Sequence, residues 1–508
     1  MRNLSRRDLI STAGGASLVS SLTWAVPGLT QGGGAGGAGG ETPFSWAILQ
    51  QRAAALAKRR YQPPRESAAA KALDFDAVGN IRFRPDRTVA GGIRLFPLGN
   101  GAVTPVAINL VENGRARPIV FSPELFEGGK VSPPPGFAGF RAMETGRESD
   151  WLAFLGASYF RSAGSQDQYG LSARGIAVDT GLAREQFPNF TEFWVEREGD
   201  QSYVIYALMD GESLTGAYRF VSRHPKAVVQ DVSSVLFLRR AVERLGVAPV
   251  TSMFWYDDRT RRGATDWRPE IHDSDGLALI SREGERVWRP LRNPPQPATD
   301  SFAADDVRGF GLLQRDRRFD HYQDDGAFYD KRPNLWVEPR GAWGKGRVML
   351  YAFPTDSETV DNVVAFWTPG APVRAGQRLQ FDYRLTWTSD DPSLDRAAHA
   401  IDVWVGAAGR PGLPALAGAS KLVVDFVGES LAGLDRESKV TAEIGVTRGT
   451  LLSSAVYPVV GQQNHWRVTA DIRPEAAGGN TAPIDVRLYL KRSEAALSET
   501  LLVPIYPA

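Results

Sequence analysis

In Ile484-Asp485-Val486-Arg487-Leu488-Tyr489-Leu490, four apolar side chains fall at every second position. Successive strand residues point to opposite faces, so this spacing builds a surface with one buried side and one wet side. Trp466, Val468, Ala470 and Ile472 repeat the pattern between Arg467, Thr469 and Asp471, and Leu422, Val424 and Phe426 form a third such face. A helix would scatter these positions around its axis. Antiparallel strands with one buried side are expected instead, and several of them close together predict an immunoglobulin-like sandwich. The polar stretch Ser389-Asp390-Asp391-Pro392-Ser393 marks a boundary before it. The chain therefore divides, as read, into a large β domain over 41–388 and a small one over 397–508.

Upstream, 52 glycines and 33 prolines imply many turns and favour strands over long helices. A few helices are still expected. Trp46, Leu49, Ala53 and Leu56 recur at helical spacing between Ser45 and Arg60, and two further helices are read at Asp150–Phe160 and Ser233–Leu245. Most of the remainder up to about residue 388 reads as short strands. The class expected is all-β with a few short helices. There is no cysteine, so no disulfide can form, and stability must come from burial by 508 residues of 43% hydrophobic content. A net charge of +1 argues against nucleic acid as a partner.

Residues 1–40 read as a targeting segment. Arg6-Arg7 precedes an uncharged stretch from Ile10 to Val26 that is rich in Ala, Gly, Ser and Leu. A charged start before a modest apolar region is the layout of an export signal, and the arginine pair specifies the twin-arginine route. Gly and Ser dilute the stretch below the roughly 20 strongly apolar residues a membrane span needs. Cleavage is expected between Ala25 and Gly40. Gly32–Gly40 contains only Gly and Ala, a flexible linker. Its formal G-x-G-x-x-G at Gly34, Gly36 and Gly39 follows no strand, so no dinucleotide site is expected.

The common catalytic motifs are absent: no HExxH, no P-loop, no G-x-S-x-G and no cysteine nucleophile. His224, His272, His321, His399 and His465 are scattered, which disfavours zinc, and no metal or cofactor is expected. Carboxylates among aromatics remain, with 13 tryptophans and 14 tyrosines in the chain. An aromatic face matches the apolar C–H face of a pyranose, and paired carboxylates are the equipment of a glycosidase. The candidate segments are His272-Asp273-Ser274-Asp275-Gly276, Asp324-Asp325 and Glu358-Thr359-Val360-Asp361-Asn362. Asp273 and Asp275 also suit a turn cap or a fragment of a calcium loop that lacks its downstream Glu. Asp361 stands just before the apolar run Val363–Trp367, where an acid can be aimed rigidly and partly desolvated. Asp257 reads as an ordinary loop acid.

Val287-Trp288-Arg289-Pro290-Leu291, Gly309–Arg315, Lys331–Pro339, Trp343-Gly344-Lys345-Gly346 and Asp361–Trp367 together resemble the osmoregulated periplasmic glucan biosynthesis proteins. The resemblance spans the mature chain and is dense between 250 and 370. The twin arginine and His321-Tyr322-Gln323-Asp324 point to the D branch of that family. It implies a large galactose-mutarotase-like β-sandwich joined to an immunoglobulin-like one, acting in the periplasm on β-1,2-linked glucan. It also implies inverting endo-hydrolysis, with Asp361 as general acid and Asp273 as general base. Tyr329 and Glu358, with His272 and Asp275, match a proton-relay and substrate network. Transglycosylation by the same site and non-catalytic glucan binding stand as alternatives. A glucan synthase is an expected partner; a homodimer is compatible with the resemblance, and the sequence does not decide the oligomeric state.

Overall fold

The computed structural model describes residues 40–128, 131–261, 264–410, 412, 414, 416–475 and 483–506. The stretch read as an export signal and nearly all of the linker lie outside the described residues. The described chain is all-β with a few short helices. Among the described residues, one sheet has sixteen strands and a second has ten. In the first, Asn189–Gly199, Ser202–Asp210, Leu214–Arg223 and Val228–Leu238 pair antiparallel in order, and Val228–Leu238 then pairs with Arg378–Thr388. In the second, Leu245–Ser252 pairs with Val363–Pro369 on one side and with Ser172–Arg174 on the other. The two sheets close on a continuous apolar core. Phe140 and Phe154 of the second sheet meet Phe193 and Phe220 of the first edge-on, each pair at 5.2 Å between ring centroids. Fully burying one such ring stabilises the fold by about 1.5–3 kcal/mol.

The helix Trp46–Ala57 forms where its spacing predicts. Ser45 caps it by accepting from Ile48 N at 3.3 Å, and Leu49 and Ala53 bury against Trp194, Leu208 and Ala217 on the outer face of the large sheet. The other two expected helices are strands. Asp150–Leu155 and Tyr159–Ser162 replace the first, and Val228–Leu238 covers much of the second, ahead of Leu245–Ser252. In Trp151-Leu152-Ala153-Phe154 every side chain is buried. A strand covered on both faces has no polar side, so its apolar run mimics a helix at any spacing.

Towards the C-terminus, Ile484, Val486, Leu488 and Leu490 are all buried, as their alternation requires. Ile484–Arg492 pairs with Thr441–Val446 and Thr500–Ile505. Across from them lies a four-stranded sheet of His399–Ala407, Ser420–Val427, His465–Pro474 and Gly449–Pro458. The core between them also takes in Ala278, Trp288, Leu313 and Trp336 from upstream. Thr500–Ile505 pairs in parallel with Arg286–Pro290, so one hydrogen-bonded ladder runs on from the large sandwich. Arg315 pins the junction: it bonds Asp391 at 2.8 Å and Glu499 at 2.7 Å, and stacks 3.6 Å above the Trp288 ring.

Candidate active site

Asp273 and Asp361 are fastened to the end of a single strand. Leu245–Ser252 finishes with Ser252 opposite Val363. Just beyond it, the buried Asn362 side chain accepts from Phe254 N at 2.9 Å and donates to Phe254 O at 3.1 Å and Phe353 O at 2.9 Å. This clamp fixes the loop carrying Asp361. On the other side Asp273 N donates to Met253 O at 2.8 Å, and Ser274 Oγ meets Ser252 Oγ at 2.9 Å. Each acid thus sits next to a residue clamped to Ser252–Phe254.

Their surroundings differ. Burial pushes the Asp361 carboxyl up to about 7, and the negative charge of Asp273 adds to the rise; Arg161, Arg174 and Arg332 oppose it. Asp273, 4% exposed, is ion-paired with Arg332. The Arg332 guanidinium also lies 4.2 Å from the centre of the Tyr329 ring. Arg174 is held by Thr251 at 3.0 Å and Glu185 at 2.9 Å, with the Tyr159 ring 4.9 Å away.

A second arm runs outward from Tyr329. Its hydroxyl donates to Glu358 Oε2 at 2.9 Å, and that same oxygen lies 2.9 Å from Arg268 Nη1. Arg268 also bonds Asp324 at 2.6 Å and Asp266 at 2.8 Å. Asp324 Oδ1 accepts from the backbone N–H groups of Gly326 and Ala327, which fixes the turn leading to Tyr329. Within that turn Phe328 takes the left-handed conformation, φ 47°, a strained state that non-glycine residues hold where surrounding structure imposes it. Asp325, the other half of the Asp324-Asp325 candidate, is exposed.

His272 and Asp275 belong to a third, interior arm. His272 has no exposed surface; its Nδ1 meets Gln314 Oε1 at 3.1 Å and its Nε2 meets Glu270 Oε2 at 2.9 Å. Burial disfavours its charge, but the Glu270 hydrogen bond and the charges of Asp275, Glu270 and Asp257 prevail and raise it to about 9. Asp275 accepts the backbone N–H of Arg315 and of Asp316. Burial raises its carboxyl to about 6 against the opposing charge of His272. Glu270, Asp316 and His321 bring one ligand atom each within 4.8 Å of one another. These groups also bond in pairs, His321 with Asp316 and Glu270 with His272. Asp257 lies in a loop as read, but it is buried and paired with Arg259, and its carboxylate accepts from Thr260 N to close the turn.

The sequence reading missed Arg332, Arg268, Arg174, Glu270 and Gln314. Arg332 left a trace, since Arg332-Pro333-Asn334 precedes an apolar strand just as Asp361-Asn362 does. Arg174 lies in no distinctive run.

The profile of the family described as "Periplasmic glucan biosynthesis protein, MdoG" matches residues 44–505. The chain belongs to this periplasmic glucan biosynthesis family. It is 42% identical over 499 residues to "Glucans biosynthesis protein D 2" of Ralstonia nicotianae, covering 92% of each chain. It is 43% identical over 482 residues to "Glucans biosynthesis protein D" of Xanthomonas campestris pv. campestris, covering 91% of this chain and 90% of that one. Membership in the glucan biosynthesis family gives the chain a role in glucan biosynthesis in the periplasm. No helix among the described residues is long and apolar enough to cross a membrane.

Proposed function

We propose that the chain cleaves the β-1,2-glucan backbone internally, with inversion, using Asp361 as general acid and Asp273 as general base. The observation that carries this reading is a carboxyl held protonated to about pH 7 beside a second carboxylate paired with Arg332. Inverting hydrolysis needs such a pair, one acid to donate and one base to accept, and the two environments differ in the sense required. Asp361 gives its proton to the glycosidic oxygen as the C1–O bond breaks. Water adds to C1 from the opposite face, and its proton passes to Asp273. Tyr329 and Glu358, hydrogen-bonded to each other and only partly covered at Glu358, are the relay and substrate contacts in this scheme. The β-1,2 linkage rests on the family resemblance. Export by the twin-arginine route belongs to the same reading, supported by Arg6-Arg7 ahead of its apolar stretch.

Incubating the pure protein with linear β-1,2-glucan tests it. Shorter linear chains with new reducing ends are expected. Cyclic or rearranged products with the linkage number conserved would mean transglycosylation, and unchanged glucan that still binds would mean a non-catalytic role.

A further inference from the structure

Of the Phe, Trp and Tyr side chains among the described residues, three are exposed: Phe187 at 43%, Trp267 at 69% and Phe319 at 46%. A single exposed ring is ordinary. Here, however, two of the three adjoin groups of the candidate site. The Phe187 ring lies 5.4 Å from the guanidinium of Arg174, whose charge acts on Asp361. Trp267 immediately precedes Arg268, which holds Glu358, and its carbonyl accepts from Arg261 at 3.1 Å. Phe319 starts the short helix whose Tyr322 lies 6.0 Å from Tyr329, on the interior arm.

Phe187 and Trp267 stand at the two ends of one row of neighbouring groups. From Phe187 it passes through Arg174, bonded to Thr251, to the strand end where Asp361 and Asp273 are clamped, then through Arg332, Tyr329, Glu358 and Arg268, whose neighbour along the chain is Trp267. The row is charged and hydrogen-bonding in the middle and apolar at both ends. A neutral sugar polymer fits that order: hydroxyls meet the polar centre, and pyranose C–H faces stack on the terminal rings. We infer that Phe187 and Trp267 are the outer sugar-binding platforms of the cleft, one on each side of the bond to be cut, and that they make the site select long glucan chains over short ones. Phe319 lies off the row and is no platform.

This inference rests on the proposed reading of the site, and its test is kept separate from turnover. In an Asp361→Asn background, calorimetric titration compares β-1,2-linked disaccharide with an oligosaccharide of about ten units. Phe187→Ala and Trp267→Ala are each expected to weaken binding of the long chain about 3- to 10-fold, the scale of one aromatic stacking contact, and to leave the disaccharide unchanged. Phe187→Tyr and Trp267→Phe, which keep a ring, should restore most of the affinity, and Phe319→Ala should change nothing. Long-chain binding unaltered in both alanine variants overturns the inference, even if the wild type hydrolyses glucan. So does an equal loss in Phe319→Ala, or a loss confined to self-association in sedimentation, which would make the rings a contact between copies. If the wild type fails to cleave glucan while the chain-length effect is found, the platforms stand and the hydrolytic reading falls.

Discussion

Asp361→Asn should stabilise the fold, and more so as the pH rises. The folded carboxyl is raised from 3.8 to about 7, so the folded state holds a proton that the unfolded chain releases. The carboxyl's contribution to stability is therefore fully present below 3.8, and it is lost as the pH rises through 7. The amide keeps the shape and never ionises. At about 1.36 kcal/mol per pH unit, the wild type pays roughly 4 kcal/mol for ionisation at pH 8 but only about 1.5–2 kcal/mol at pH 5. A chain of this size has an unfolding entropy that converts 1 kcal/mol into about 1 °C, so the variant should melt roughly 4 °C higher at pH 8 and about 2 °C higher at pH 5. Calorimetric melting of both proteins from pH 4 to pH 9 measures the gap directly. A gap that is flat with pH, or that closes as the pH rises, would refute the claim that burial and the charge of Asp273 hold Asp361 protonated.

Arg332→Met should cost about 3–5 kcal/mol by leaving Asp273 buried without its cation. It should also push Asp361 above 7, since Arg332 is one of the charges lowering it, so the alkaline limb of the pH–rate profile should move up. Arg315→Ala should cost a similar 3–5 kcal/mol in denaturant melts, because Asp391 and Glu499 lose a shared buried partner. Proton NMR of fresh digests of linear β-1,2-glucan should show the α-anomer first, because inversion at a β linkage yields it; initial β-anomer would exclude the scheme. Replacing Arg6-Arg7 with Lys-Lys should leave the precursor in the cytoplasm, as fractionation and blotting would show; unchanged export would rule out the twin-arginine route.

Some of this architecture is written locally in the chain, and some is not. The helix at Trp46–Ala57 carries its own cap in Ser45, and Leu49 and Ala53 recur one turn apart on its buried side, so its spacing can be read. Ile484, Val486, Leu488 and Leu490 alternate with Asp485, Arg487 and Tyr489 because that strand has a wet face. Trp151–Phe154 has none, and a run buried on both faces carries no period. Pairing partners across the chain, such as Val287 with Thr500, leave no local mark at all. The site follows the same division. Asp361 is legible from the apolar strand behind it. Its neighbours Arg161, Arg174 and Arg332 arrive from distant parts of the chain, and of the three only Arg332, ahead of Pro333-Asn334 and an apolar strand, leaves a local trace.

The central claim is that Asp361 delivers a proton to the leaving sugar while Asp273 activates the water. The direct measurement is the rate of new reducing ends from linear β-1,2-glucan in the wild type, Asp361→Asn and Asp273→Asn, with Glu429→Gln as a control at a side chain 75% exposed. General acid–base groups contribute about 10²–10⁴-fold, so both aspartate variants should lose at least 100-fold in turnover. Asp361→Asn should keep its affinity for glucan, because a neutral amide replaces an acid that is neutral when it acts. The control should match the wild type, whose rate should fall as the pH passes about 7 and Asp361 ionises. Wild-type rates in Asp361→Asn would contradict the account.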